Sequence, residues 1–179
     1  MTGMSIYDQF TEQERTLLHD RARRFASAQA EVSPGDTATV LLVTLREETY
    51  ALPIDTIVNI KDGIPVVPVP CAQPFVAGIA NIRGHIIPVL DLATLLGVPG
   101  KQSQADILVQ AVHEDMNVAF LVERVGETVS LSLAEMAPIP EIMDVDRVDY
   151  LQGTFADGTI LLDMAAILAD PSLEPDRVE

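Results

Sequence analysis

The chain repeats one local design. Leu90-Asp-Leu-Ala-Thr-Leu-Leu and Leu162-Asp-Met-Ala-Ala-Ile-Leu align residue for residue, and each follows a hairpin with glycine in its turn, Gly84 in the first and Gly158 in the second. In both, an aspartate stands where an N-cap carboxylate can accept backbone N–H bonds, and the apolar residues behind it give a short helix one buried face. Further upstream, Thr39-Val-Leu-Leu-Val, an acidic turn and Tyr50-Ala-Leu-Pro-Ile match Ala105-Asp-Ile-Leu-Val, an acidic turn and Asn117-Val-Ala-Phe-Leu. A repeat of this length is too long for a solenoid, and two copies are too few for a propeller. It predicts a mostly β chain folded as two similar small β-barrels, each ending in a capped helical turn. The alternative left open is two ordinary hairpins, alike because β-sequences draw on few residue types.

The remaining elements follow from period and punctuation. Thr39–Leu45 and Thr49–Ile54 read as a hairpin with a three- to four-residue loop over Arg46-Glu47-Glu48. Asp55–Ile60 is a helical turn or strand. Ile64 to Pro74 carries Pro65, Pro68, Pro70 and Pro74, so it is an edge strand or extended connection. Phe75–Gly97 contains a strand at Gly78–Ile82, a turn at Arg83-Gly84, a strand at Ile86–Leu90 and a helix capped by Asp91 and stopped by Gly97 and Pro99. A linker covers 99–104. Asp106–Val112 and Asn117–Val122 make the second hairpin around His113-Glu114-Asp115-Met116, and a short strand follows at Thr128–Leu131. Residues 137–149 form an acidic loop. Leu151–Phe155 and Thr159–Leu162 flank Asp157-Gly158, a strong hairpin signal, and Asp163–Leu168 is the last short helix.

Residues 1–36 differ from this body. Thr11 and Glu14 make a capping-box pattern, and Leu18, Ala22, Phe25 and Ala26 recur on one helical face. Asp8, Glu12, Glu14 and Asp20 balance Arg15, Arg21, Arg23 and Arg24, so residues 1–30 are neutral and the whole net charge of −16 lies in the rest. Ser33-Pro34-Gly35-Asp36 breaks the helix. The expected domains are therefore a helical extension at 1–36, a body at 37–170 in two subdomains (about 37–100 and 101–170), and a flexible tail at 171–179.

That acidity repels nucleic acid and anionic lipid, and the basic stripe both require is missing. No apolar run reaches the length of a membrane span, and no signal-peptide order opens the chain. The expectation is a cytoplasmic protein with no nucleic-acid partner and no direct membrane insertion. Cys71 is the single cysteine, which excludes an internal disulfide and multi-cysteine metal sites. His19, His85 and His113 are scattered, without metal-ligand spacing. Asp144, Asp146 and Asp149 invite a calcium loop, but Val148, Asp149 and Phe155 then stand where an oxygen ligand, glycine and glutamate are needed. No nucleophile elbow or phosphate-cradling glycine loop is present. The chain is expected to be no enzyme and to need no cofactor. What remains is surface. Arg83 is one cation among apolar residues, either tying its turn to the body through a carboxylate or anchoring an interface.

Gly78-Ile-Ala-Asn-Ile-Arg-Gly-His-Ile-Ile-Pro-Val-Leu-Asp-Leu closely resembles the signature of the CheW-like domain: Gly-hydrophobic-x-Asn-hydrophobic-Arg-Gly-x-hydrophobic-hydrophobic-Pro-hydrophobic-x-Asp-Leu. The resemblance extends across about residues 38–170, through Tyr50–Ile60, Phe120–Leu131, Tyr150-Leu-x-Gly153 and the terminal Asp-Gly hairpin with Leu162-Asp163. It implies two SH3-like five-stranded β-barrels and a non-enzymatic adaptor. Such an adaptor joins the cytoplasmic tips of chemoreceptors (methyl-accepting chemotaxis proteins) to a CheA-type histidine kinase, and is cytoplasmic but held at membrane receptor arrays through its partners. Carried over motif by motif, the receptor-side positions fall near Ile57, Gly78, Asn81, Arg83 and Thr128, with Asn59 and Gly84 in the same interface set; the kinase face is not placed.

Two departures bear on function. Where family members often carry a glutamate able to pair with the signature arginine, this chain has Asn59, which can hydrogen-bond Arg83 but not neutralise it. Either Asp55 or Asp62 takes over, or Arg83 is freer to engage a partner. The second departure is the N-terminal extension, which the minimal adaptor lacks. The resemblance therefore leaves two functions: a coupler, or a regulator that competes at the same interfaces and uncouples or redirects the kinase, in swimming or another motility system.

Overall fold

A computed structural model describes residues 37–100, 106–140 and 148–173. The helix expected before residue 37, most of the 99–104 linker and the middle of the 137–149 loop lie outside the described residues.

Strand β1 (Thr37–Leu45) pairs with β2 (Glu48–Pro53), Leu45 facing Glu48, so only Arg46 and Glu47 turn the chain. The loop is thus two residues, shorter than the sequence suggests, and both residues sit in the left-handed region at φ 45 and 80. A primed two-residue turn matches the right-handed twist of its strands. Arg46 then holds the bend in place, its guanidinium donating to the Val98 carbonyl and, at 3.3 Å, to Thr94 Oγ1. A single helical turn at Ile54–Thr56 leads into β3 (Ile57–Asp62), and the proline-rich stretch contributes only β4 (Val66–Val67).

Next come β5 (Val76–Ile82), β6 (His85–Asp91) and helix α1 (Leu92–Leu96). Asp91 caps α1 by accepting from Thr94 N at 3.0 Å, and Gly97 ends it at φ 71. The second half supplies β7 (Ile107–His113), β8 (Met116–Val122), β9 (Arg124–Ser132), β10 (Leu151–Thr154), β11 (Ile160–Leu162) and α2 (Met164–Leu168). Asp163 caps α2 by accepting from Ala166 N at 2.9 Å. Strand β9 is longer than the Thr128–Leu131 expected. Within it Gly126 lies over β1, where an added Cβ would meet Leu42 at 3.4 Å.

The strands form two sheets, ordered β10-β11-β2-β1-β9 and β3-β7-β8-β6-β5-β4. They do not divide the chain near residue 100. The first hairpin, β1–β2, joins the last, β10–β11, through the parallel pair β2/β11, with Tyr50 opposite Ile160. Reciprocally, β7–β8 joins β5–β6 through the parallel pair β8/β6, with Phe120 opposite Leu90. The repeat is therefore built by exchange, each sheet taking one hairpin from each half. The second sheet has six strands because β4 adds to its edge; without it the two orders are equivalent.

Details repeat as closely as topology. Asp91 N donates to the Phe75 carbonyl and Asp163 N to the Tyr150 carbonyl, each at 2.8 Å. Both β5 and β10 shift register just before a glycine, between Val76 and Gly78 and between Leu151 and Gly153. At each glycine another segment crosses: an added Cβ would lie 2.2 Å from the Val67 carbonyl oxygen at Gly78, and 2.4 Å from Met136 Cγ at Gly153. Glycine is required by close approach.

Each sheet curls round its own apolar cluster. Ala80, Ile82, Ile87, Val89, Leu108 and Ala119 fill the six-stranded one, and Val40, Ala51 and Leu161 the other. A larger core holds the faces between them, with Tyr50, Phe120, Leu90, Leu162 and residues of both helices. Leu173 belongs to it at 4% exposure, so the ordered body passes the tail start expected at Pro171.

Gly78→Ala should cost at least ~2 kcal/mol of stability in urea unfolding, because the backbone oxygen of Val67 cannot rotate away. Gly84→Ala, with nothing within 4 Å, should cost only about 1 kcal/mol of backbone strain. Tyr50 gives a second expectation. Its burial, then its 2.8 Å hydrogen bond to Glu48 Oε2, raise its pKa well above the ordinary 10.0. A raised folded-state pKa stabilises the protein below the unfolded value, and that contribution is lost as pH rises past it. Unfolding free energy should therefore fall above about pH 10, with a smaller fall in Tyr50→Phe.

Candidate functional site

The six-stranded sheet opens at one end into a cleft of about 320 Å³. Its position follows from strand alternation, which turns every second side chain toward the same face. Ile82 and Ile87, buried members of the cluster inside this sheet, form its floor. Asn59 lies directly opposite Gln110 across β3 and β7, and both line the opening. His85 and Asn117 complete the polar wall, while Val58 contributes from the rim. Gln110 Nε2 donates to Asn117 Oδ1 at 2.9 Å, which fixes the two amides relative to each other.

Arg83 reaches this mouth from the β5–β6 turn. With Ile82 paired to His85, the turn is Arg83-Gly84 alone, at φ 53 and 88. Asn81 stabilises it: its Oδ1 accepts the Gly84 N–H at 2.8 Å. Arginine in the left-handed region costs about 1 kcal/mol, and the Asn81 bond offsets part of that. Neither Asp55 nor Asp62 lines the cleft, and Arg83 makes no ion pair with any described residue. Of the two ways the sequence left for Arg83, the described residues show the one without a carboxylate partner.

The residues singled out by sequence thus separate. Asn59 and Arg83 share the cleft. Asn81 and Gly84 shape the turn that presents Arg83. Gly78 is buried beneath β4. Ile57 is half-buried and packs against the central core, the register shift between Ile57 and Asn59 turning it away from the lumen. Thr128 is exposed, but on β9 of the five-stranded sheet. Residue type and motif do not single out His85, Gln110, Asn117 or Val58 as site residues. The available signal was that Gln110 interrupts an apolar run and Asn117 opens one, at positions that strand parity turns inward.

Large apolar side chains face solvent on the strands that bound the opening: Val58, which lines it, is 58% exposed, and Ile60 of β3 and Ile86 of β6, which do not line it, are 40% and 64% exposed. Among the described residues no group of three or more His, Cys, Asp or Glu is arranged to hold a metal ion. No described helix is long and apolar enough to cross a membrane.

Comparison with known proteins adds a family match. The model of the CheW-like domain matches residues 39–172. A "Chemotaxis protein CheW" of Thermotoga maritima is 36% identical over 86 residues, 48% of this chain and 57% of that protein. One of Helicobacter pylori is 28% identical over 138 residues, 74% of this chain and 84% of its own length. Among solved structures, the scaffolding protein TtCheW from Thermoanaerobacter tengcongensis superposes with a TM-score of 0.65 at 22% identity, covering 77% of this chain and 97% of that one.

Proposed function

The chain belongs to the CheW-like domain family, and on that premise we propose that it is a non-enzymatic chemosensory adaptor in the cytoplasm, coupling chemoreceptor tips to a CheA-type histidine kinase. The observation that carries this reading is the mouth of the six-stranded sheet: an arginine that makes no ion pair with any described residue, beside the exposed Val58, with Ile60 and Ile86 exposed on the strands that bound it. Clustered apolar side chains in water mark an interaction surface. An arginine beside them is the residue type most able to anchor one, through several hydrogen bonds in a fixed plane.

Within this reading the receptor side includes Arg83, Asn59 and the turn made by Asn81 and Gly84, with Ile57 and Gly78 shaping the strands beneath. Thr128 lies on the other sheet and belongs to a separate contact. Names support the same role: the relatives are called chemotaxis proteins and the structural neighbour a scaffolding protein.

Co-sedimentation of the full chain with a receptor-tip fragment and a CheA-type kinase tests the proposal. A coupler brings both into one complex; a chain that binds each alone but excludes the other is the competing regulator. Arg83→Ala should weaken receptor binding about tenfold, a typical loss for an interfacial arginine, with unchanged thermal unfolding. Unfolding of that variant would assign Arg83 to the fold instead, and undiminished binding would remove it from the interface.

A further inference from the structure

The same mouth has a chemical bias that an apolar docking groove does not need. Acidic residues outnumber basic ones by 27 to 11 in the chain, yet among the described residues the cleft is lined by Arg83 and His85 and by no aspartate or glutamate. Its other polar groups are amides. Because Asn117 Oδ1 is already occupied by Gln110 Nε2, the Asn117 Nδ2 group keeps its donors. Asn59 presents a further amide from the opposite wall. The cleft is therefore a cluster of hydrogen-bond donors around one permanent cation, on a protein that is otherwise strongly anionic.

We propose that this mouth is a carboxylate-binding notch, in which Arg83 pairs with the anion, the Asn117 and His85 donors complete its shell, and Ile82 and Ile87 take an apolar stem. The geometry suits that class of ligand. Ile82 and Ile87 are 4% and 2% exposed, so the floor is dry and an ion pair above it is less screened than one in bulk water. A volume of about 320 Å³ is at the small end of ligand sites, enough for a short organic acid or one acidic side chain. A planar guanidinium matches a carboxylate in two parallel bonds. The carboxylate comes either from a free small acid or from an aspartate or glutamate of the docked partner; only the second source rests on the adaptor reading.

Titration of the isotopically labelled full chain with glutarate, followed by amide and arginine side-chain NMR, tests the notch directly. Saturable shifts should concentrate at residues 81–87, Gln110 and Asn117, should be absent with uncharged glutaramide, and should weaken as salt is raised. Arg83→Met should raise the apparent Kd about tenfold or more, the loss expected for a charge-assisted pair. Asn117→Ala, on an exposed position, should raise it by a smaller factor without disturbing the fold. Shifts that never saturate, or that glutaramide reproduces, overturn the notch. A second arm separates the sources: if saturating glutarate displaces the receptor fragment or the kinase, the resident carboxylate belongs to that partner, and if the complex is unaffected it is a free acid. Glutarate binding in a chain that captures neither partner would leave the notch standing and sink the adaptor reading.

Discussion

Two short parallel pairings hold this molecule together. Where β2 meets β11 and β8 meets β6, strands from opposite halves of the chain lie side by side in the middle of each sheet. A hairpin alone is marginal in water, because it buries one face at most and leaves both edges unpaired. Here each hairpin becomes stable only by accepting a partner from the other half. The central core follows from that exchange, since Tyr50 and Ile160, or Phe120 and Leu90, face each other because their strands do. The two Asp-capped helices begin as the chain leaves β6 and β11, the inner strands of the paired hairpins, and pack their apolar faces into the same core.

Much of this was legible in the sequence, and the reasons differ by element. The repeat was visible because its two signals, an aspartate before an apolar triplet and a glycine in the preceding turn, are local and chemical. The sequence could not show that the halves interleave. Residue pattern fixes which face of a strand is buried, not which strand lies beside it, and a linear division near residue 100 is the default when only neighbours in sequence are compared. The β1–β2 turn is shorter than its sequence suggests because Arg46 and Glu47 are poor candidates for positive φ; the contacts of Arg46 to α1 and to Val98 just beyond it that hold it there are long-range. Leu173 stands among polar residues in sequence, and only its long-range packing places it in the core.

At the mouth of the six-stranded sheet the sequence named the right turn but not the whole cleft. Arg83 is a charge among apolar residues, and Asn59 stands where a carboxylate could have paired with it. Gln110 and Asn117 carry only a parity signal in sequence, and they matter because β7 and β8 bring them to the cleft that Asn59 and Arg83 also line. Gly78 illustrates the converse. A glycine in a signature invites a role at an interface, whereas this one sits under the Val67 carbonyl, and its duplicate Gly153 sits under Met136 and Ala137. Its presence in both copies points to strand crossing as the common demand.

The exchange also orders events during synthesis. The N-terminal hairpin β1–β2 leaves the ribosome early, but its inner neighbour, β11, is Ile160–Leu162, near the end of the described chain. At about 5–20 residues per second the first hairpin waits several seconds with Tyr50 and Leu52 uncovered. The six-stranded sheet, by contrast, has all its strands once β8 ends at Val122. The nascent chain can thus close the sheet that carries the cleft first and use it as the template on which the five-stranded sheet is completed.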